Sequence, residues 1–262
     1  MTITSKTLAE NLISPWDQGP DAAGQYLLSI KQPVRYEVLL GGKPRIIFLG
    51  EAHTNSAIHR ELQAQADGLR SAGITTFLIE ANSDQGNLFK LLNSGDFSLI
   101  YETGLGPLGR QLGPVNREQR VQMVKVLHSE GIEILPIDDP INYEKKELTG
   151  RDSLERDKYL ARKVQEVAMS REGKIAALVG SLHAIRGSDY SVIDLLERQG
   201  IECRSIFFAG GEGKTPEIVT ESAKRYGIDR EKFAFQVRGV KAPYGINVDY
   251  IVHLPQEEGF GV

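Results

Sequence analysis

Short strands with few polar residues recur along this sequence, with helical patterns between them. They are RIIFLG at 45–50, ITTFLIE at 74–80, IEILPI at 132–137 and IAALVG at 175–180, and IECRSIFF at 201–208 adds a fifth. A strand without polar alternation is buried on both faces, which is typical of parallel sheets covered by crossover helices. The pattern therefore predicts an α/β fold in which a central, mostly parallel β-sheet is flanked by helices on both faces. The C-terminal third is expected to add antiparallel strands.

The segments between these strands predict the rest of the domain. VRYEVLL at 34–40 has the composition of a short strand, and Gly41-Gly42 would join it to the next strand as a hairpin. A continuous helix is predicted over 57–71. Residues 84–115, which become rich in Gly and Pro, are predicted to form a small helical cap or loop insertion over one edge of the sheet.

The N-terminal residues 1–32 are polar and predict a disordered tail or the leader of a type III secretion system. Residues 33–262 are predicted to form a single α/β domain. The first residues lack the basic start and apolar stretch of a secretory signal peptide. The expected location is therefore the bacterial cytoplasm or, after injection, a host cell.

Composition excludes several kinds of partner and site. The 262 residues carry a net charge of −4 without a basic stripe, so nucleic acid is not an expected partner. The single cysteine, Cys203, excludes a disulfide framework and a zinc site built on several cysteines. No apolar run approaches the roughly 18 residues that a membrane span requires, so a membrane is not an expected partner either.

Acidic residues and histidines follow the ends of four successive predicted strands. They are Glu51 and His53 after the first, Glu80 at the end of the second, Asp138 and Asp139 after the third, and His183 after the fourth. Right-handed crossovers place the carboxyl ends of parallel strands on one edge, where ligands bind in open α/β sheets. Because an unpaired carboxylate beside an apolar core is costly, several together require a cation, a metal or a shared proton. The sequence therefore predicts one shared functional site.

A cation for this site is available on the next helix. Arg156 and Asp157 lie near the start of a helix predicted over 153–171, which follows the third of these strands. The guanidinium group presents a rigid fork of donors that suits a carboxylate or an oxyanion on a substrate.

Each residue also has a purely structural interpretation. Glu51 could accept backbone N–H groups of the following turn, Asn55 could cap the next helix, and His183 could be an ordinary core histidine. These interpretations are adequate one at a time, but they do not explain why all the residues fall at one edge. His59 and His128 lie within predicted helices and are expected on solvated or partly buried faces.

The motifs FLGEAHTN, RDKYLA and LVGSLHA, together with Glu80, resemble the EreA/ChaN-like superfamily, which includes erythromycin esterases, ChaN haem-binding lipoproteins and TIKI/TraB proteases. The shared pattern is GE-x-H after one strand, an acid after the next, an arginine on a helix and G-x-x-H after a later strand. The matching residues here, within about 45–210, are Gly50, Glu51, His53, Glu80, Arg156, Gly180 and His183. The resemblance implies an EreA/ChaN-like fold. A compact version with a polar N-terminus is also similar to the HopBA-type type III effectors of plant-associated bacteria, which act inside host cells.

The branches of this superfamily imply different chemistries for the matching residues. The esterase branch implies metal-free ester hydrolysis, in which a histidine activates water while acids and an arginine orient water and substrate. The protease branch implies a divalent metal at the Glu and His positions, and the ChaN branch implies haem. The lipoprotein signal of the ChaN type and the membrane anchor of the TIKI type are not expected in this chain.

The leading hypothesis is a hydrolase of ester or amide bonds that needs no cofactor. The candidate catalytic residues are Glu51, His53, Glu80, Arg156 and His183, and the candidate substrate contacts are Asp138 and Asp157. One of the histidines would act as general base on water, a glutamate would hold its tautomer, and the arginine would stabilise developing negative charge. The expected partner is a small-molecule or host substrate.

Two alternatives remain open from the sequence. In the first, the chain is a metal-dependent hydrolase, with zinc or manganese bound by Glu51, His53, Glu80 and His183. In the second, the chain is a haem-, ligand- or host-protein-binding module, for example one that engages a host immune protein, and the site is a remnant.

Overall fold

The computed structural model describes residues 14–53, 55–100, 114–140, 150–187, 191–211, 216–237, 243 and 246–255. Within them an eight-stranded sheet has the spatial order β1-β7-β8-β6-β2-β5-β3-β4. In chain order the strands are β1 Gln32–Pro33, β2 Ile46–Glu51, β3 Ile74–Asn82, β4 Glu133–Asp138, β5 Lys174–Gly180, β6 Cys203–Gly210, β7 Phe233–Gln236 and β8 Tyr250–Leu254.

The six strands from β8 to β4 in this order are parallel, whereas β7 is antiparallel to both of its neighbours. The fold-class prediction of a mostly parallel sheet is thereby confirmed, as is the expected antiparallel pairing near the C-terminus. Strand β5 lies between β2 and β3, so the carboxyl ends of β2, β5, β3 and β4 are neighbours at one edge. This order positions the candidate site.

Helices cover both faces of the sheet. The described α-helices are α1 Pro20–Ile30, α2 Tyr36–Leu39, α3 Ser56–Ala64, α4 Ala66–Ser71, α5 Gly86–Asn93, α6 Pro114–Ser129, α7 Gly150–Ser170, α8 Val192–Glu197 and α9 Glu217–Arg225. Among these described helices, none is both long and apolar enough to cross a bilayer.

Alternate residues of β2 show how the two faces are built. Ile47 and Leu49 belong to a buried cluster with side chains of α3, α4 and α6, whereas Ile46 and Phe48 belong to a separate cluster with side chains of α7 and α8. Successive strand side chains point to opposite faces, so an unbroken apolar strand supplies both cores. A third cluster packs α1 and α9 against β6, β7 and β8.

The predicted strand over 34–40 and its hairpin are wrong. Residues Tyr36–Leu39 form the short helix α2, in which Tyr36, Leu39 and Leu40 are buried while Val38 is 44% exposed. The spacing i, i+3, i+4 is that of a helix face, whereas a strand would have placed Tyr36, Val38 and Leu40 together. The β-propensity of the segment is overridden by the burial of these three side chains.

Two further predictions need correction. The helix predicted over 57–71 is broken at Gln65, whose φ of −105° and ψ of 11° separate α3 from α4. The disordered interpretation of 1–32 is wrong from residue 14 onward, because α1 packs against α9 and Trp16 is buried in the same cluster. Residues 1–13, and the part of the predicted cap at 101–113, lie outside the described residues.

The open edge of β4 is covered by a side chain of α5. The amide of Asn93 donates to the carbonyl of Ile134 at 2.8 Å, and the N–H of Ile134 donates to Asn93 Oδ1 at 2.9 Å. Both hydrogen bonds imitate a neighbouring strand. Pro136, which lacks an N–H group, lies further along the same edge strand. An edge strand with fewer free donors and acceptors is a poorer template for pairing with another chain.

Replacing Asn93 with alanine is expected to lower the free energy of unfolding by about 1 to 2 kcal/mol, because two backbone groups of Ile134 lose their partners. Chemical denaturation of the variant and the wild type measures this loss. Ser94→Ala is the matched control, since its hydroxyl bonds only the carbonyl of Leu91 at an exposed position. A loss for Asn93→Ala no larger than that for Ser94→Ala would show that the edge contact is unimportant.

Candidate functional site

The site lies where the strand order brings four carboxyl ends together. Glu51 ends β2, Glu80 lies near the end of β3, and Asp138 ends β4. Gly180 ends β5, and a 3-10 turn over Ser181–Ala184 follows it and carries His183. The helix α7 reaches the same place with Arg156 and Asp157. All five candidate catalytic residues are therefore within one connected set of contacts.

Glu51 and His53 form the first pair. His53 Nδ1 lies 3.0 Å from Glu51 Oε1, and the Glu51 side chain is fully buried whereas that of His53 is 29% exposed. A carboxylate can only accept, so Nδ1 carries the proton in this contact. The second ring nitrogen, Nε2, lies 3.7 Å from Glu80 Oε2. The imidazole thus bridges a buried acid and the centre of the site.

Glu80 is the centre of the site. Its Oε2 accepts the backbone N–H of Gly180 at 2.6 Å, and its Oε1 is bonded by Arg156 Nη2. The same guanidinium group donates to both oxygens of Asp138, from Nε at 2.9 Å and from Nη2 at 2.6 Å. Arg156 therefore neutralises two buried carboxylates, which is the cation that the sequence predicted for this edge.

His183 and Asp157 form a second imidazole–carboxylate pair. His183 Nδ1 lies 2.6 Å from Asp157 Oδ1, and its Nε2 lies 3.9 Å from Glu80 Oε1. Arg156 Nη1 lies 3.4 Å from the same Nε2. The two histidines thus repeat one arrangement: each Nδ1 is paired with a buried acid, and each Nε2 is directed to a different oxygen of Glu80.

The charges of the site perturb its acids and His53. Burial raises the pKa of Glu80, but His183, Arg156, His53 and the Gly180 N–H outweigh it and lower that pKa to about 2. Burial likewise opposes ionisation of Glu51, but its imidazole neighbours and Arg120 hold its pKa well below the usual value. Burial alone would lower the pKa of His53, yet the hydrogen bond that its Nδ1–H donates to Glu51 and the charges of Glu80 and Glu51 raise it. Both glutamates are therefore ionised at neutral pH, and His53 holds a proton more readily than a free histidine.

Gly180 permits the close approach of His53 to Glu80. A Cβ atom at this position would lie 2.9 Å from His53 Nε2 and 3.4 Å from Glu80 Oε2. The glycine of the G-x-x-H pattern thus has a steric reason that the sequence did not show.

Replacing Gly180 with alanine is expected to displace the His53 ring and to lower any activity of the site at least tenfold, with about 1 to 3 kcal/mol lost in stability. Turnover and thermal unfolding measure the two effects separately. Gly86→Ala is the matched control, because a Cβ at Gly86 meets nothing within 4 Å. Unchanged turnover in Gly180→Ala would show that the His53–Glu80 approach has no role.

Two buried residues of the site were missed by the sequence analysis. His59 was expected on a solvated or partly buried face, but it is fully buried and its Nε2 lies 2.9 Å from Glu51 Oε2. Arg120 is also fully buried and lies between Glu51 and Glu80. The helical spacing could have predicted their burial. His59 lies on the same face of α3 as the buried Leu62, and Arg120 lies on the same face of α6 as the buried Val124. The structural alternative considered for Asn55 is also present, since its side chain caps α3 by accepting from the N–H of Ala57.

The predicted substrate contacts have other positions. Asp138 and Asp157 are buried and are paired with Arg156 and His183, respectively. Because both side chains are buried, Asp138 and Asp157 cannot contact a substrate directly. Their positions instead suit them to orient Arg156 and His183. Asp139, which followed the same strand, is also buried, and its N–H donates to Asp138 Oδ1 at 2.8 Å.

The donor set does not fit a metal ion. Within the described part of the chain, no group of three or more His, Cys, Asp or Glu side chains is arranged to hold one. Both oxygens of Glu80 are already bonded, and one of their partners is the guanidinium of Arg156. A metal ion at Glu80 would meet this positive charge at close range.

Comparison with known proteins bears on the fold. No protein-family model matches the sequence, and no curated protein matches it. A succinoglycan biosynthesis protein matches the structure with a TM-score of 0.64 and 12% identity, over 89% of this chain and 96% of that one. A Bacillus cereus protein matches with a TM-score of 0.60 and 10% identity, over 90% and 97%. The type III effector HopBA1 matches with a TM-score of 0.54 and 13% identity, over 93% and 94%.

At such identities the likeness concerns the fold alone. It extends over almost the whole length of each of these chains. The predicted similarity to HopBA-type effectors is thereby confirmed for the fold, because the chain shares the α/β fold of HopBA1 and of the succinoglycan biosynthesis protein.

Proposed function

We propose that this site hydrolyses an ester or amide bond by acid–base chemistry without a metal. One observation carries the proposal: two imidazoles, whose Nδ1 atoms lie 3.0 and 2.6 Å from an oxygen of a buried acid, direct their Nε2 atoms to one carboxylate at 3.7 and 3.9 Å. An ordinary core histidine needs only one partner. A matched pair around a shared acid leaves two reactive nitrogens at one partly exposed place, which suits proton transfer in both directions.

His183 is the proposed general base. Its Nδ1 lies 2.6 Å from Oδ1 of the Asp157 carboxylate, and this acid favours the Nδ1–H tautomer, which has its lone pair on Nε2. The contact of Nε2 with Arg156 Nη1 is long, at 3.4 Å, and a water molecule bound between them would exchange it for shorter bonds. His183 would take a proton from this water as the water attacks the substrate carbonyl.

His53 is the proposed general acid. It lies between the carboxylates of Glu51 and Glu80, which raise its pKa and favour the charged ring. The protonated Nε2 would donate to the leaving alcohol or amine. Two histidines in different charge environments thereby divide the acid and base roles.

Arg156 is the proposed stabiliser of negative charge in the transition state. Its Nε and Nη2 atoms are bonded to Asp138 and Glu80, whereas Nη1 lies beside His183 Nε2. Negative charge develops next to this nitrogen when water activated by His183 attacks. The two carboxylates hold the guanidinium in place beforehand, so little reorganisation is needed during reaction.

Purified full-length protein should be tested against p-nitrophenyl esters and p-nitroanilides of graded acyl length, with and without EDTA. The proposal requires turnover by the wild type that survives EDTA and is lost in the His53→Ala/His183→Ala double variant. Turnover that EDTA abolishes and zinc or manganese restores would favour the metal-dependent alternative. Turnover retained by the folded double variant would overturn the site assignment.

A second proposal is that the chain acts as a type III effector inside host cells. The match to HopBA1 over 93% of this chain and 94% of that one supports it. A fusion to a translocation reporter tests delivery, and expression of the wild type and the double variant in host cells tests whether the site is required. A host response to both proteins alike would favour the binding alternative, in which the protein engages a host immune protein and the site is a remnant.

A further inference from the structure

A second imidazole, that of His59, contacts Glu51 in the interior of the protein. His59 Nε2 lies 2.9 Å from Glu51 Oε2, and both side chains are fully buried. Because an ionised carboxylate has no proton to donate, His59 Nε2 carries the hydrogen of this contact. The two oxygens of Glu51 are thus divided between two imidazoles, with Oε1 bonded to His53 in the partly exposed site and Oε2 bonded to His59 in the interior.

Arg120 adds a buried cation on the same side of the sheet. Its Nη1 lies 3.5 Å from Glu51 Oε1, and its Nη2 donates to the backbone carbonyl of Glu80 at 3.3 Å. Glu51 ends β2 and Glu80 lies near the end of β3, and these strands are separated by β5. The Arg120 side chain therefore reaches across one strand from α6 and connects the two acids on either side of His53.

The faces of the sheet thus supply different parts of the site. His59 and Arg120 come from α3 and α6 on one face and have no exposed surface. Arg156 and Asp157 come from α7 on the other face, next to the partly exposed His183. The buried residues cannot touch a substrate, so any contribution to chemistry passes through Glu51 and His53.

Neutral His53 has one ring proton, and two carboxylates compete for it. Glu51 lies 3.0 Å from Nδ1, and Glu80 lies 3.7 Å from Nε2. If Glu51 turned away, the proton would move to Nε2 and face Glu80, and Nδ1 would carry the lone pair. The orientation of Glu51 therefore decides which nitrogen of His53 can exchange protons with a substrate.

We infer that His59 and Arg120 are positioning residues that hold Glu51 in the one orientation in which it fixes the Nδ1–H tautomer of His53. Ordinary packing does not require them, because an apolar side chain fills a helix–sheet interface without the desolvation cost of an imidazole or a guanidinium. In addition, His59 Nδ1, Arg120 Nε and Arg120 Nη1 lack a hydrogen-bond partner among the described residues. Both side chains thus accept incomplete hydrogen bonding. His59 Nε2 keeps its contact with Glu51 Oε2, and Arg120 keeps a hydrogen bond to the Glu80 carbonyl and a charge contact with Glu51 Oε1 at 3.5 Å. The consequence for catalysis rests on the proposed function, but the tautomer does not.

Nuclear magnetic resonance of the full chain labelled with ¹⁵N-histidine tests this inference without a substrate. The sequence contains five histidines, so each ring gives a resolvable pattern of two-bond correlations, recorded at a pH where all rings are neutral. We expect His53 in the Nδ1–H form and His59 in the Nε2–H form. The opposite tautomer for either ring in the wild type would overturn the inference, whatever the variants do.

The variants separate positioning from packing. His59→Leu removes the donor and His59→Gln keeps one; Arg120→Met removes the charge and Arg120→Lys keeps it. We expect a shift of His53 toward the Nε2–H form in His59→Leu and Arg120→Met, and the wild-type tautomer in His59→Gln and Arg120→Lys. His128→Gln, at a half-buried position near the end of α6, serves as the assignment control. An unchanged His53 tautomer in folded His59→Leu and Arg120→Met would contradict the inference.

Turnover of a p-nitrophenyl ester distinguishes this inference from the proposed function. We expect a loss of about 10- to 100-fold in His59→Leu that His59→Gln largely restores, as for other residues that orient a catalytic group. A tautomer shift without turnover in the wild type would leave the positioning role intact and reject the hydrolase. If turnover were equal in all folded variants despite a tautomer shift, the tautomer of His53 would have no effect on hydrolysis.

Discussion

Replacing His183 with alanine is expected to lower hydrolytic turnover by about 10²- to 10⁴-fold, the usual contribution of a positioned general base. The reason is that Nε2 of His183 is the nitrogen whose partner at Nδ1, Asp157, leaves its lone pair directed into the site. Asp157 is buried, so the variant also leaves an acid without its imidazole and should lose about 1 to 3 kcal/mol of stability. Turnover of p-nitrophenyl esters under saturating conditions, together with thermal unfolding, measures both effects.

The matched control for this prediction is Met169→Ala. Met169 is 82% exposed and lies at the far end of α7, the helix that carries Arg156 and Asp157. It should retain wild-type turnover. If folded His183→Ala retained wild-type turnover as well, His183 could not be the base, and the equivalent loss in His53→Ala alone would reassign that role to His53.

Replacing Arg156 with alanine is expected to destabilise the fold by about 3 to 5 kcal/mol, because removal of one partner leaves buried charges unpaired. The guanidinium bonds Glu80 and Asp138, whose side chains are each only 1% exposed. Both carboxylates then remain at the sheet edge without their main cation. Turnover should also be lost, since the donor nearest to His183 Nε2 disappears. Denaturant unfolding at several pH values measures the stability loss.

The pH dependence of this loss follows from the pKa of Glu80. In the wild type this pKa is lowered to about 2, so the stabilisation from its ionised form is fully present above the unfolded pKa, about 4.3, and is lost as the pH falls toward 2. Without Arg156 the pKa of Glu80 in the folded protein rises. The folded variant therefore takes up a proton at a higher pH than the wild type does, and this protonation relieves part of its loss of stability. The difference in stability should therefore be largest near neutral pH and should narrow in acid.

Arg162→Ala is the matched control on the same helix. Arg162 is exposed, with a surface ion pair to Glu166 at 3.8 Å and a cation–π contact with the Tyr159 ring at 5.1 Å, so its loss should cost only about 1 kcal/mol. A stability difference for Arg156→Ala as small as this, or one that widens in acid, would contradict the described role of the Arg156–Glu80–Asp138 contacts.

The residues that the sequence identified and those it missed differ in a simple physical way. Glu51, Glu80 and His183 stand at or just after strand ends, where a charged residue interrupts an apolar run and is easily seen. His59 and Arg120 stand inside amphipathic helices, where polar residues are common and only the direction of the side chain makes them unusual. The sequence also did not show which side chains are paired. Asp157 contacts His183, which is 26 residues away in the chain, and Asp138 accepts a hydrogen bond from Arg156, which is 18 residues away.

The sequence by itself determined the α/β class, the parallel strands and the edge at which the acids and histidines collect. Those features follow from local burial: a strand covered on both faces must be apolar, and its end is the first place where charge is tolerated. Only the tertiary structure decided that β5 lies between β2 and β3, that the segment around Tyr36 is a helix, and that His59 and Arg120 lie beneath Glu51. These depend on contacts between residues distant in the chain, and the free energy of such contacts is set by the packed whole rather than by any one segment.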